Sequence, residues 1–488
     1  MKSRYISIGV MILLWPALLP GQSRTERIIR EASKPSALEQ NLRVLTDEIG
    51  GRVPGTDAMQ EALLWGKSAF QAAGADDAKL ESFNIPQSWS EGATSVRVTA
   101  PVSFAVRAIS MAWAPPTNGA LHARLLDVGE GKPEDFRRAG NIEGAVLLVH
   151  SDVLTSWDDL FQEYLKAPPV IEAAVRGKAA ALAFMATREH DILYRHINAQ
   201  NGHIDRIPQV LLAREDAQRL ARLLQAEKKV EVEINVPNKI GGPIETSNVV
   251  AELRGSEKPE EWVLLGAHLD SWELGTGALD DGCNAALVID ALRAIKNSGL
   301  RPKRSIRFVL FSGEEQGVLG SEAYVRAHRN ELDNAVGTIF FDEGTGATTG
   351  FSLGGRKDMV QVANELTAPL EPLGGMTQTT DAFIGTDNFD FLLEGVPNFV
   401  ANQKEANYLE NYHATSDTYD KVDFAQLKKH VAIAAALAFE IADRPERLAP
   451  RQSRAQIEPL IHETGLEQQM KTFGLWEEWR SGQRGRAQ

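Results

Sequence analysis

The chain has 488 residues, of which 43% are hydrophobic and 24% are charged, a composition typical of a globular protein with two or three domains. Its formal net charge of −14 and pI of about 5.3 imply no broad basic surface, which excludes nucleic acid as a class of partner. The single cysteine, Cys283, excludes an internal disulfide.

The first 22 residues are typical of a secretory signal peptide. Lys2 and Arg4 precede the apolar run "ISIGVMILLWPALL", which is followed by the small and polar residues "PGQS". The run is short for a transmembrane helix, and Pro16 interrupts it. We therefore predict a secreted or periplasmic protein with no stable membrane insertion after signal removal. A short membrane anchor is the alternative.

Residues 23–118 and 119–240 differ in pattern. The first range begins with two amphipathic helices separated by a Gly/Pro loop, and from residue 79 it alternates as strands do. In the second range, short strands such as "GAVLLVH" and "PQVLLA" alternate with helical stretches such as "PPVIEAAVRGK" and "EDAQRLARLLQAE". We predict that 119–240 is an inserted domain and that 23–118 is the N-terminal part of a catalytic domain.

The main part of the predicted catalytic domain, residues 241–447, alternates strands and helices. The strands are "WVLLGA", "SIRFVLF", "VGTIFF" and "VPNFVAN", and the helices include 282–297 and "FAQLKKHVAIAAALAFEIA". Elements of these lengths predict an α/β layer with a largely parallel central sheet. Residues 448–488 are expected to form a C-terminal helical tail, with one helix in "LEQQMKTFGLWEEWRSGQRGR".

Polar residues follow three of these strands. His268 comes directly after "WVLLGA", Glu314 and Glu315 come soon after "RFVLF", and Asp342 comes directly after "GTIFF". The carboxyl ends of parallel strands meet at one edge of a sheet, where ligands bind in α/β proteins. We therefore expect these side chains to converge.

Two more carboxylates, Asp280 and Asp281, lie in the loop after the first of these strands. They are also placed to cap the helix that follows or to occupy its first turn. Burial of unpaired carboxylates is costly, so a group that converges at a sheet edge is expected to share metal ions. Imidazole and carboxylate ligands suit zinc, and a carboxylate can bridge two ions in dinuclear hydrolases.

The remaining groups of such a site follow from the same chemistry. Glu314 and Glu315 can divide the work, one as general base and the other as ligand. Asp270 is placed to orient His268 through its second ring nitrogen. Among the histidines, His413 stands in the polar loop "NYHATSDTYDKVD", and by elimination it is the best remaining candidate for a further ligand.

Five segments of the chain resemble those of zinc peptidase family M28 and, within it, the carboxypeptidase Q group. They are "HLDSWELGTGALDDG", "RPKRSIRFVLFSGEEQGVLGS", "IFFDEGTGATTG", "GTDNFDFLLEGVP" and "YHATSDT". The resemblance covers most of residues 246–440. It implies an aminopeptidase-like three-layer α/β/α domain with a mainly parallel mixed sheet, a β-rich protease-associated domain at 119–240, and a possible homodimer.

The resemblance also implies a ligand set for two zinc ions per chain. His268 and Asp342 are implied as ligands of one ion, and Glu315 and His413 as ligands of the other. Asp280 takes the place of the bridging carboxylate.

Four further residues are assigned by the same resemblance. Glu314 matches the general base and Asp270 the partner of the ligand histidine. Asp281 is the neighbour at the helix start, and capping remains its alternative role. Asp387, in "GTDNFD", is a candidate for contact with the substrate.

The expected function is that of a zinc exopeptidase that acts on short peptides, above all dipeptides with free termini. An aminopeptidase that trims longer peptides is the nearest alternative. A non-catalytic binding protein of the same fold is the alternative from another class. The complete set of candidate ligands and the candidate base argue against that second alternative.

Overall fold

The computed structural model describes residues 23–487, so the predicted signal peptide 1–22 lies outside the described residues. Over this range the strands are, in chain order, β1 (Asp77–Ile85), β2 (Trp89–Ser90), β3 (Ser95–Ala100), β4 (Phe104–Val106), β5 (Ala108–Ser110), β6 (Leu121–Asp127), β7 (Val146–Val149), β8 (Ala181–Met185), β9 (Gln209–Leu212), β10 (Glu231–Asn235), β11 (Lys239–Ile240), β12 (Ile244–Leu253), β13 (Lys258–His268), β14 (Arg304–Phe311), β15 (Ala335–Phe340), β16 (Thr348–Ser352), β17 (Thr377–Thr379) and β18 (Asn398–Gln403).

The α-helices of the same range are α1 (Arg24–Ala32), α2 (Leu38–Arg43), α3 (Asp57–Ala73), α4 (Pro133–Ala139), α5 (Trp157–Arg176), α6 (Arg214–Gln225), α7 (Cys283–Ser298), α8 (Leu319–Ala327), α9 (Val360–Thr367), α10 (Asn388–Leu393), α11 (Tyr408–Asn411), α12 (Phe424–Asp443), α13 (Arg454–Glu463), α14 (Leu466–Thr472) and α15 (Trp476–Ser481). Shorter π or 3₁₀ turns lie at Val44–Ile49, Ala278–Gly282, Arg329–Asn334, Lys357–Met359, Ala368–Leu373 and Tyr419–Lys421. Within residues 23–487, no helix has both the length and the apolar character that a membrane span requires.

The larger α/β unit is built on an eight-stranded mixed sheet with the order β1-β12-β14-β13-β15-β18-β16-β17. The central strands β14, β13, β15 and β18 are parallel, and β1 and β12 pair with their neighbours in antiparallel fashion. β16 is antiparallel to β18 and parallel to β17. β13, β14 and β15 therefore end at one edge of the sheet, which confirms the convergence expected from the sequence.

Helices cover both faces of this sheet, because both faces of its central strands are apolar. On β13, Val263 and Leu265 pack into a core with α1, α7 and α12. Trp262 and Leu264 alternate with them and pack on the other face with residues of α8 and α10. This period-two alternation of buried residues gives the three-layer α/β/α arrangement that the sequence predicted.

A second eight-stranded sheet has the order β4-β3-β10-β6-β7-β8-β9-β5. Helix α6 packs on one of its faces through Ala217 and Leu220, and α5 packs on the other through Val170 and Ile171. Its strands lie within residues 95–235, so the sheet begins at β3, ahead of residue 119. The domain boundaries drawn from the sequence remain a prediction.

Two helices differ from the sequence prediction. Helix α5 begins at Trp157, where Ser156 caps it by accepting a hydrogen bond from the amide of Asp159, and it runs through Pro168 and Pro169. The helical stretch predicted from the proline pair onward is therefore confirmed as the C-terminal part of a longer helix. The tail forms three helices, and Gly474, with φ of +74°, separates α14 from α15 because it readily adopts this left-handed conformation.

Candidate metal centre

His268 is the last residue of β13 and is almost fully buried among carboxylates. Its Nε2 atom lies 3.1 Å from Oδ1 of Asp280 and 3.3 Å from Oδ1 of Asp342. Its Nδ1 atom lies 2.9 Å from the main-chain carbonyl oxygen of Asp270. The ring is therefore oriented with Nε2 toward the acidic residues.

His413, Glu315 and Asp280 form a second buried group beside the first. Nε2 of His413 lies 2.8 Å from Oε2 of Glu315 and 3.2 Å from Oδ2 of Asp280. Asp280 thus directs one oxygen to each histidine. The loop before α12, the loop after β14 and the loop after β13 supply these three side chains.

The ligand atoms of the described residues form two triads, each with its atoms within 4.8 Å of one another. One triad is His268, Asp281 and Asp342, and the other is Asp280, Glu315 and His413. Nitrogen and carboxylate oxygen atoms in such a cluster are the donors that zinc prefers. Oδ2 of Asp280 and Oε1 of Glu315 are buried and accept no hydrogen bond, as expected of atoms that receive a metal ion.

Asp281 differs from Asp280 in its hydrogen bonds. Oδ1 of Asp281 accepts a hydrogen bond from the side-chain amide of Asn284 at 2.6 Å, and Oδ2 accepts one from the amide of His268 at 3.1 Å. It makes no cap hydrogen bond at the start of α7, where Gly282 is the cap residue. The capping role considered for Asp281 is therefore wrong, since its carboxylate holds the end of β13 against the start of α7.

The crowded charges move the pKa values of the cluster. Burial lowers the pKa of His413, but Glu315 and Asp280 outweigh it and raise that pKa to about 9. The same balance, with Asp342 and Asp281 as the main carboxylates, raises the pKa of His268 well above its usual value. Burial raises the pKa of Glu315 to about 7. The cluster therefore requires positive charge, which either protons or metal cations can supply.

Two residues that the sequence analysis missed hold the loop that carries Asp280. The carboxylate of Asp417 accepts hydrogen bonds from the amides of Leu279, at 2.7 Å, and Asp280, at 3.2 Å. Arg52 is fully buried and donates to the carbonyl oxygen of Gly277 at 2.9 Å. A buried arginine in the Gly/Pro loop "GGRVPGT" and an aspartate in "HATSDT" were the signals available in the sequence.

Arg52 and Gly277 also explain the tight course of this loop. Arg52 donates to the carbonyl oxygens of Leu269 and Thr276, at 2.7 and 2.8 Å, so one guanidinium satisfies several buried acceptors. Gly277 has φ of +58°, and a Cβ atom there would lie 2.3 Å from the side chain of Ser271. Only glycine fits this position without displacing its neighbours.

Asp270 contacts the site through both its main chain and its side chain. Its carbonyl oxygen, not its carboxylate, makes the hydrogen-bond contact with Nδ1 of His268, and Oδ1 lies 3.8 Å from that nitrogen. The carboxylate instead accepts hydrogen bonds from the amides of Glu314 and Glu315, both at 3.3 Å. Asp270 therefore contacts the second ring nitrogen of His268 through its main chain and connects the loops after β13 and β14 through its carboxylate. Its role in orienting His268 stays a prediction.

The two triads open into a cavity of about 1150 Å³. Glu314 belongs to neither triad of the described residues and lines this cavity beside Glu315. The acidic lining residues are Asp158, Asp280, Glu314, Glu315, Asp342, Glu343, Asp358, Asp381 and Glu463, and among the described lining residues Lys357 is the lysine. Helix α5 and the C-terminal tail contribute to the walls through Tyr164 and Phe473.

Asp387 does not line this cavity. It is fully buried, whereas its neighbour Thr386 is a lining residue. Burial raises the pKa of the Asp387 carboxyl well above its usual value. A substrate contact by Asp387 stays a prediction, which the burial of its side chain does not support.

Comparison with known proteins gives consistent matches. A sequence model of peptidase family M28 matches residues 248–438, which include both triads and Glu314. Carboxypeptidase Q of Rattus norvegicus is 30% identical over 413 residues, which cover 84% of this chain and 86% of that protein. Aminopeptidase YwaD of Bacillus subtilis (strain 168) is 24% identical over 421 residues, which cover 83% and 84% of the two chains.

The fold also matches a solved structure. The crystal structure of a peptidase M28 precursor from Shewanella amazonensis SB2B superposes with a TM-score of 0.79 at 25% sequence identity. The match covers 88% of this chain and 98% of that chain. The two-sheet arrangement and the parallel strand ends that carry the triads therefore lie within an architecture already seen in a related chain.

Proposed function

Because the chain belongs to peptidase family M28, we propose that it is a dinuclear zinc exopeptidase that hydrolyses short peptides, above all dipeptides with both termini free. Family membership makes the chain a metallopeptidase with carboxypeptidase and aminopeptidase relatives. The number of zinc ions, the residue roles and the dipeptide preference are the proposed parts.

The observation that carries the proposal is the pair of buried triads at the floor of one cavity. Asp280 lies 3.1 Å from His268 through one oxygen and 3.2 Å from His413 through the other. A carboxylate in this position can bridge two ions. We assign His268 and Asp342 to one zinc ion, Glu315 and His413 to the other, and Asp280 to both.

Charge balance supports two divalent ions. Asp280, Asp281, Glu315 and Asp342 carry four negative charges when they are ionised, and all four belong to the triads. Two divalent cations neutralise that charge, whereas an empty site must retain protons on buried groups. Asp281 is already hydrogen bonded at both oxygens, which favours Asp280 as the bridging ligand.

Zinc, when bound, supplies Lewis acidity that polarises a scissile carbonyl group and acidifies a water molecule. The chain supplies the base through Glu314, whose pKa is raised by burial and by the neighbouring carboxylates Asp342 and Glu315. A carboxylate with a raised pKa accepts a proton from water and then holds it for the leaving amine. Asp270 keeps Glu314 in place through the hydrogen bond to its amide.

The substrate class follows from the size of the cavity and from the relatives. A volume of about 1150 Å³ is slightly above the range of about 300 to 1,000 Å³ that is typical of pockets for drug-sized molecules. Walls from α5 and from the C-terminal tail bound this space beside the triads. A short peptide fits this enclosure better than a folded protein does.

An aminopeptidase that trims longer peptides is the second candidate, and the charge of the cavity favours it. Asp158, Glu343 and Asp381 line the wall outside the triads, and the lysine of the lining, Lys357, is paired with Glu463 at 3.0 Å. An acidic wall attracts a protonated amino terminus more than a carboxylate. A site that recognises only the amino terminus places no limit on the length of the substrate at its carboxyl end.

Hydrolysis of one dipeptide in three forms distinguishes these functions. The forms are free at both ends, N-acetylated and C-terminally amidated, and each is incubated with zinc-loaded protein with and without chelator while products are followed by mass spectrometry. Cleavage of the free form alone, lost with chelator, is expected for the dipeptidase. Cleavage of the amidated form as well indicates the aminopeptidase, and no cleavage of any form contradicts both functions.

Three further parts of the proposal concern the whole molecule. We propose that the unit around the second sheet is a protease-associated domain inserted in the catalytic domain. We also propose that residues 1–22 direct export to the periplasm or the medium, and that the chain forms a homodimer. N-terminal sequencing of secreted protein and light scattering of purified protein test the latter two.

A further inference from the structure

The connection between β8 and β9 of the second sheet, residues 186–208, reaches the metal centre of the first sheet. Its residues 193–195 run antiparallel to residues 413–415, with a bridge between Tyr194 and Ala414. The amide of Thr415 donates to the carbonyl oxygen of Leu193 at 3.0 Å. A segment of the second unit is therefore paired with the loop that carries His413.

The pairing holds His413 at two points. The amide of Arg195 donates to the carbonyl oxygen of His413 at 2.8 Å, and the carbonyl oxygen of Arg195 lies 3.0 Å from Nδ1 of the His413 ring. When Nδ1 donates this hydrogen bond, Nε2 is left as the nitrogen that faces Asp280 and Glu315. The main chain of Arg195 thus fixes the tautomer and the direction of the ring.

The backbone of His413 is unfavourable on its own. Its φ is +58°, in the left-handed region that residues other than glycine rarely adopt. Such a conformation persists only where the surroundings impose it. The two hydrogen bonds between His413 and Arg195, one donated by the Arg195 amide and one accepted by its carbonyl oxygen, impose this conformation. The ring position therefore depends on a segment outside the catalytic sheet.

The side chain of Arg195 anchors that segment. It is fully buried and forms ion pairs with Glu91 and Glu273, and it donates to the carbonyl oxygen of Ser110. Ser110 belongs to the second sheet, whereas Glu273 lies in the loop between His268 and Asp280. One guanidinium therefore ties the second sheet to the loop that carries the other candidate ligands.

A second contact joins the two units at the same ligand. The ring of Tyr412 stacks on His413 with centroids 3.6 Å apart, and its hydroxyl is hydrogen bonded to that of Tyr164 at 3.0 Å. Tyr164 belongs to α5, on the second unit. The second unit thus contacts the imidazole directly at Nδ1 and supports its face indirectly, through the bond of Tyr164 to Tyr412.

We infer that the segment 193–195 is a structural part of the metal centre and that Arg195 is a positioning residue that sets zinc affinity at the triad of Asp280, Glu315 and His413. The inference rests on the proposed role of His413 as a zinc ligand. It gives the second unit a function in assembling the site.

The test compares full-length variants in zinc binding. Metal-free protein is titrated with zinc ions in competition with a chromophoric chelator, and thermal unfolding is recorded for each sample. In Arg195→Met we expect affinity at one of the two sites to fall by about 10- to 100-fold, the usual effect of losing a group that orients a ligand. Arg195→Lys retains the charge beside Glu91 and Glu273 and is expected to restore part of that affinity.

Arg304→Met is the matched control. Arg304 is also a buried arginine with an ion pair, to Glu261, but it begins β14 and therefore lies at the opposite end of the strand from the site. We expect Arg304→Met to lower the unfolding temperature and leave both zinc affinities unchanged. The absorption spectrum of the cobalt-substituted protein should change in Arg195→Met and not in Arg304→Met.

Two further outcomes are decisive. If Arg195→Met does not fold, Glu273→Ala replaces it, because the Glu273 side chain is 35% exposed and its loss leaves no buried cavity. Zinc affinities within about twofold of the parent in a folded Arg195→Met or Glu273→Ala would overturn the inference, since a supporting group should matter tenfold or more. Absence of zinc binding in the unaltered protein would instead overturn the proposed function.

Discussion

The carboxylate of Asp417 accepts a hydrogen bond from the main-chain amide of Asp280 at 3.2 Å. Asp417 also accepts one from Leu279 at 2.7 Å, so its two oxygens fix the loop that presents the proposed bridging ligand. Burial raises the pKa of Asp417 to about 7, although its ionised form is the one that accepts both bonds. Asp417 belongs to neither triad, yet its charge affects both the conformation of the loop that carries Asp280 and the electrostatics of the cluster.

We predict that Asp417→Asn weakens zinc binding by about 10- to 100-fold, because an asparagine side chain accepts only through its one oxygen and directs an NH₂ group at a backbone donor. Calorimetric titration with zinc measures the effect. Asp420→Asn is the control, since Asp420 is exposed and bonds to Thr418 and Lys421. Parental affinity in Asp417→Asn would show that the loop holds its shape without this carboxylate.

Replacement of Glu314 is predicted to separate catalysis from metal binding. Glu314→Gln removes the base but none of the proposed ligands, so kcat should fall by about 10²- to 10⁴-fold while two zinc ions remain bound. Steady-state hydrolysis of a dipeptide and elemental analysis of the same sample provide the two measurements. Glu365→Gln, an exposed change on α9, is the control. Retained turnover in Glu314→Gln would remove Glu314 from the mechanism.

Substitution of Asp280 and of Asp281 is predicted to affect zinc binding differently. Asp280→Asn should reduce binding of both zinc ions, because the oxygens of Asp280 face both histidines. Asp281→Asn should retain both ions with weaker binding at the His268 site, because Asp281 also holds the amide of His268. Elemental analysis after gel filtration distinguishes the two. Loss of both ions in Asp281→Asn alone would reassign the bridge to Asp281.

The metal-free protein is predicted to lose stability as the pH rises. The pKa of His413 is raised from 6.5 to about 9, so its stabilising effect is complete below about pH 6.5 and is lost as the pH rises through 9. The pKa of Glu315 is raised from 4.5 to about 7, so the folded state again holds the proton more tightly and loses stability above about pH 4.5. Both pKa shifts therefore make the free energy of unfolding of the metal-free protein fall as the pH rises.

Thermal unfolding with chelator and with zinc, from about pH 6.5 to about pH 9, tests this linkage. Buried His196 and His430, whose pKa values are lowered to about 4, act with the opposite sign only below about pH 6.5. The difference in Tm between zinc-loaded and metal-free protein should widen with pH, because zinc displaces the protons that the empty cluster retains. His413→Ala should reduce the decline in Tm of the metal-free protein with rising pH. A metal-free Tm that is constant or rises over this range would contradict the assigned pKa shifts.

The sequence predicted the features that follow from local pattern. The apolar strand before His268 and the polar residues after the next two strands predict one sheet edge, and the structure places them there. The atom of Asp270 that contacts His268 could not be predicted in the same way. The contact through the carbonyl oxygen of Asp270 depends on backbone direction, which residue type does not reveal.

Long-range supports were also hidden from the sequence. Arg52 and Arg195 lie far along the chain from the loops that they hold, and an arginine in a loop is usually a surface residue. Their burial follows only from the way the two sheets pack together. Asp387 shows the same limit in reverse, because the sequence does not reveal that this polar residue beside the cavity-lining Thr386 is fully buried.

Stepwise restoration of zinc to the metal-free protein, with hydrolysis of an unblocked dipeptide recorded at each step, tests the central claim most directly. We predict that chelated protein is inactive and that activity returns with added zinc and reaches its maximum when two ions are bound per chain. Full activity in protein shown to be free of metal, or no activity after two ions are bound, would contradict a dinuclear zinc exopeptidase.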